Sequence, residues 1–113
     1  MISQIIPAGE GMPMYLVERL IILAEECAEV QQQVAKIIRF GANTKSYYEP
    51  EFSNRDLLEK EVGDLMSLVD QLIEYGFLDH DALLAQAQKK AEKMKKWTAW
   101  LPDGSRNPDN VAQ

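Results

Sequence analysis

Between Leu57 and Ile73 the apolar residues recur with the period of an α-helix, and a glutamate sits among them. Winding this segment places Leu57, Leu58, Val62, Leu65, Leu68, Val69, Leu72 and Ile73 on one arc, with Glu61 inside it. An uncompensated carboxylate on such an arc costs several kcal/mol to desolvate, comparable to the whole stability of a small domain. A proton, a basic partner or a cation must therefore neutralise it. Asp64, one turn further along the same edge, brings a second carboxylate into reach as E-x-x-D, and mutual repulsion then favours a divalent metal.

The rest of the chain divides at helix signals. Pro13 suits the first position of a helix, and Leu16, Leu20, Leu23, Cys27, Val30, Val34 and Ile37 follow at helical spacing until Gly41. Residues 42–52 lack an apolar period and read as a connecting loop able to move. Ser53 is the expected N-cap of a second helix, with Asp56 three residues on, and Gly76 ends it after about Tyr75. A third helix begins near Asp79 and carries Leu83, Leu84, Ala87, Ala91, Met94 and Trp97. The expected organisation is a single all-α domain with a core over 13–97 and a polar tail over 98–113, loose unless it docks. The apolar face of the second helix is too wide for one neighbour, so an antiparallel bundle completed by a homodimer or homotetramer is expected.

Composition limits the function. A chain of 113 residues, 46% hydrophobic and with a formal charge of −6, describes a small soluble domain whose acidity argues against nucleic acid as a partner. No segment is long and apolar enough for a membrane span, and the start, Met1 to Pro13, lacks the pattern of a secretory leader. The one cysteine, Cys27, cannot form an internal disulfide; it is expected to be a small buried residue, and the chain reads as cytoplasmic.

The first helix carries Glu25, Glu26 and Glu29 within about a third of its circumference, beside its apolar seam. Taken alone, this cluster reads as a solvated acidic patch. If the second helix packs antiparallel against the first, however, Glu26 and Glu29 face Glu61 and Asp64, and four carboxylates on two rigid helices form an oxygen-rich site suited to magnesium or manganese. Gly63, inside the second helix, suggests a close backbone contact beside that site. Lys36 and Arg39 lie downstream on the first helix, and Lys36 shares the acidic strip, within reach of a phosphate. Lys93 borders the apolar arc of the third helix, where interaction with the helix dipole competes with phosphate binding. Tyr15, Tyr47, Tyr48 and Trp97 are candidate aromatic walls for a base, although ordinary packing is the commoner use of such residues. His80 reads as a capping or surface residue.

With LAEECAEV around Glu25-Glu26-x-x-Glu29 and KEVGDLMSLV around Glu61-x-x-Asp64, the chain resembles the MazG-like members of the all-α nucleoside triphosphate pyrophosphatase superfamily over roughly Tyr15 to Trp97. The resemblance implies a four-helix core and two or more magnesium ions held by Glu26, Glu29, Glu61 and Asp64. It also implies hydrolysis of a nucleoside triphosphate to the monophosphate and pyrophosphate. Some relatives act on purine deoxynucleotides such as dGTP or dATP. Lys93 matches a phosphate-contacting lysine, while Glu25 would either join the ligands or act as general base. The chain departs from the pattern in two places. Thirty-one residues separate Glu29 from Glu61, which enlarges the loop beside the site, and Trp97 stands where an arginine is common. Two rival readings are a ferritin-like di-iron bundle and a noncatalytic dimerisation module. The first lacks the Glu-x-x-His pairs it requires, and the second would favour leucine at position 61.

Overall fold

The computed structural model describes residues 11–111 and contains helices α1 (Met14–Phe40), α2 (Asn54–Glu74) and α3 (His80–Trp97), with no strand among the described residues. The expectations for the N-terminal arm before Gly11, and for Ala112 and Gln113, lie outside the described residues. No described helix is long and apolar enough to cross a membrane. The chain forms two compact units, divided between Phe77 and Leu78.

In the first unit, Pro13 caps α1 instead of opening it. Its backbone is extended, with ψ 151°, and its carbonyl accepts from the amides of Leu16 and Val17. Gly41 ends the helix at φ 100°, a conformation that a side chain rarely adopts. Ser53 and Asp56 form a reciprocal capping box at the start of α2, each side chain accepting from the other's backbone amide. At its other end the Gly76 amide donates to Ile73 O and the Phe77 amide to Leu72 O, the paired bonds of a Schellman stop, with Gly76 at φ 77°.

The contacts between α1 and α2 set their direction. Tyr15 meets Tyr75, Arg19 Nε donates to Gln71 Oε1 at 3.2 Å, and Asn54 Nδ2 donates to Gly41 O at 3.0 Å. Ascending numbers on one helix therefore meet descending numbers on the other, and the pair is antiparallel. Between the helices, residues 42–53 are tied down: the Ser46 amide donates to Phe52 O, the Asn54 amide to Thr44 O and the Arg55 amide to Ala42 O. The loop is thus pinned at its base, with Ser46 and Asn54 buried.

The core is narrower than the sequence pattern implies. Among the described residues, Leu16, Val17, Leu57, Leu68 and Leu72 are buried and apolar, and Leu72 alone is fully enclosed. Val62 and Val34, both assigned to core arcs, are exposed. Cys27 is likewise an exposed free thiol and not a buried one. A single neighbour covers only the narrow seam of each helix, and residues at the margin of the arc remain in solvent.

In the second unit, Asp79 caps α3 by accepting from the Ala82 amide at 2.8 Å, and His80 is exposed beside Asp81. The tail after Thr98 docks on the end of its own helix. Asn107 is buried and its Nδ2 donates to Lys95 O and Thr98 O, both at 2.8 Å, while the Val111 amide donates to Lys96 O at 2.7 Å. These bonds satisfy carbonyls that a helix C-terminus leaves without partners. Arg106 closes the turn by lying over the Trp100 ring at 4.8 Å.

Candidate functional site

The antiparallel register brings Glu26 and Glu29 of α1 against Glu61 of α2. One carboxylate oxygen from each lies within 4.8 Å of the other two. All three belong to helices whose ends are fixed by caps, so their backbone positions are set and only side-chain rotation can separate the carboxylates. Glu61 is largely enclosed, its side chain 13% exposed, and Glu29 is the exposed member of the three.

Lys60 supplies part of the neutralising charge. Its Nζ lies 3.6 Å from Glu61 Oε1 and 3.5 Å from Asp64 Oδ2, and both acids hold the ammonium more strongly protonated than usual. The compensation is incomplete, because one exposed ammonium group faces four carboxylates. Burial, reinforced by the charges of Asp64 and Glu61, raises the Glu26 carboxyl above its ordinary pKa. A shared hydrogen bond with Glu61, followed by the charges of Glu61 and Glu26, raises Glu29. Two carboxylates thus retain protons more readily than free glutamate does, as expected where negative charge is in excess.

Hydrogen bonding points the same way. With the acids ionised, Glu26 Oε2, Glu61 Oε2 and Gln33 Oε1 are buried and accept no hydrogen bond from any donor among the described residues. Gln33 is itself buried and follows Glu29 by one turn on the same strip. Buried acceptors are ordinarily satisfied, and unpaired acceptor oxygens beside a carboxylate cluster suit a hard cation that takes oxygen ligands.

The remaining sequence candidates fall in different places. Asp64 stands at the edge of the cluster, bound to Lys60 and close enough to act on Glu26. Glu25 is exposed and outside the group of three. Tyr15 packs edge-to-face on Tyr75, with ring centroids 5.0 Å apart, at the opposite end of α1 from Lys36. Lys36 lines a cavity where α1 meets the loop, and Arg39 lies over the Phe40 ring at 4.9 Å. Lys93 and Trp97 belong to the second unit, where both are exposed. Gly63 does not make the close contact expected of it: it is exposed, and a Cβ there would meet nothing within 4 Å. Sequence reasoning missed Lys60, for which the i,i+4 spacing with Asp64 was the available signal. Helical spacing puts Gln33 on the acidic strip with Lys36, but gives it no role and does not show its burial.

No family model, curated protein or solved structure matches this chain.

Proposed function

We propose that the chain is a divalent-metal-dependent nucleoside triphosphate pyrophosphohydrolase of the MazG-like kind. The observation that carries this reading is the pair of buried, unpartnered oxygens on Glu26 and Glu61 within a three-carboxylate cluster on two helices. Glu26, Glu29 and Glu61, with Asp64 at the edge, would hold magnesium or manganese, which supplies neutralisation of the triphosphate and acidification of the attacking water. The chain's own groups do the positioning. Glu25, exposed and outside the cluster, is the carboxylate free to take the proton of that water. Lys36 offers its ammonium group to a phosphate on the same helix strip. Water adds to the α-phosphorus, the bond from that phosphorus to the bridging oxygen breaks, and pyrophosphate leaves with the bonding electrons. The role of Lys93 on the leaving group is carried by the family resemblance alone.

The same reading includes self-association. Ile21, Val34 and Ile38 on α1, and Val62 and Met66 on α2, are exposed apolar residues, and a second copy completing a four-helix core would cover them. These faces also favour a second reading, a noncatalytic dimerisation module in which the acids form only a polar patch. One experiment separates the two: incubation with a panel of common and modified nucleoside triphosphates and magnesium or manganese, with products resolved by chromatography. Monophosphate and pyrophosphate in equal amounts support the hydrolase. Diphosphate and orthophosphate would overturn the reaction type, and no turnover on any substrate would favour the module.

A further inference from the structure

The acidic strip of α1 continues beyond the carboxylates. Lys36 follows Glu29 by seven residues, two helical turns or about 10 Å along the axis, on nearly the same face. There it enters the wall of a cavity of about 420 Å³, together with Phe40 of α1, Lys45, Tyr47 and Tyr48 of the loop, and Asn54 of α2. This volume lies within the range of small-molecule sites. The lining contains two ammonium groups and no carboxylate, in a chain whose formal charge is −6.

The base of the cavity is built firmly and its mouth is not covered. Asn54 is buried and bonded to Gly41 O, and the loop is pinned by the backbone bonds at Thr44 and Ser46. Above this base stand two tyrosine rings, 89% and 81% exposed, set edge-to-face with centroids 4.9 Å apart. Their unburied faces leave apolar area, at about 25 cal/mol per Å², for a ligand to cover. Phe40 is also exposed, and Arg39 over its ring extends the positive rim. Aromatic faces beside ammonium and guanidinium groups suit a planar heteroaromatic ring that carries a phosphate.

We infer that this cavity is a nucleotide subsite that receives the nucleoside end of the substrate: the base lies against Tyr47 and Tyr48, and Lys36 and Lys45 contact the adjoining phosphate. This rests on the hydrolase reading for the reaction, in which the nucleotide runs from the cavity along α1 so that its α-phosphorus lies between Lys36 and the carboxylates of Glu29 and Glu26. Binding at the cavity itself needs no metal, which makes the two ideas separable.

The test is titration of the full chain with dAMP, dGMP, dCMP and dTMP in EDTA, followed by tyrosine fluorescence and calorimetry. At least one monophosphate is expected to bind. The Tyr47→Ala/Tyr48→Ala double variant, whose exposed rings can be lost without disturbing the core, should weaken that binding at least tenfold, and Lys36→Gln should weaken it similarly. Glu61→Gln should leave it within twofold. Absence of binding by all four, or equal binding by the wild type and the double variant, overturns the subsite. If monophosphates bind through Tyr47 and Tyr48 while no triphosphate is hydrolysed, the subsite stands and the reaction falls. If hydrolysis occurs and the double variant leaves KM unchanged, the reaction stands and the base lies elsewhere.

Discussion

Glu61 occupies a position where its charge is useful only if something answers it. Lys60 reaches one of its oxygens at 3.6 Å, and the other is buried without a partner. Glu61→Gln removes a repelling charge next to Glu26 and Glu29 while preserving shape. Turnover is therefore expected to fall at least a hundredfold while the melting temperature in metal-free buffer holds level or rises. Steady-state assay and thermal melting of the same preparation check both halves. A variant with near-normal turnover would remove Glu61 from the site. This residue was legible in the sequence because a carboxylate breaks an apolar period. The burial of Gln33 was not, because a glutamine on a helix edge looks solvated until a second helix covers it. Cys27 and Val62 erred in the other direction: each fits the apolar period, but a period does not say how wide an arc the neighbouring helix covers.

At the scale of elements, the caps hold the acids in register. Ser53→Ala removes the acceptor for the Asp56 amide and should cost about 1 kcal/mol in denaturant unfolding at neutral pH. The bonds from Ser53 hold the Asp56 carboxyl below its ordinary pKa of 3.8. Its contribution is thus fully present above that value and is lost as the pH falls through the lower folded-state value. Unfolding curves of wild type and Asp56→Asn should differ at pH 7 and converge in acid, and a constant gap would contradict the capping assignment. Gly63 is an exposed glycine in mid-helix with open space at its Cβ. Gly63→Ala should accordingly stabilise the fold by about 1 kcal/mol by the same measurement. A loss of stability would show that another surface approaches α2 closely there. Helix starts and stops were the most legible part of the fold, since Gly41, Ser53 with Asp56, Gly76 and Asp79 each act through local chemistry. The docking of the tail was not, because it depends on Asn107 reaching back to carbonyls nine and twelve residues earlier.

For the whole molecule, antiparallel pairing of α1 and α2 turns two separate acidic motifs into one cluster, and Ile21, Ile38 and Met66 on these helices stay exposed. Sedimentation equilibrium at low micromolar concentration should give a dimer or tetramer, and a well-behaved monomer would remove the argument from exposed Ile21, Ile38 and Met66. A ligand that binds only the folded chain also stabilises it, by about 2.7 kcal/mol at a hundred times its Kd, so saturating manganese should raise the melting temperature. The most direct measurement is the depletion of the free Mn²⁺ electron paramagnetic resonance signal on titration with protein, for wild type and Glu61→Gln side by side. Depletion by wild type that is lost in the variant is the expected result; no depletion by wild type, or equal depletion by both, would contradict a metal centre at Glu26, Glu29 and Glu61.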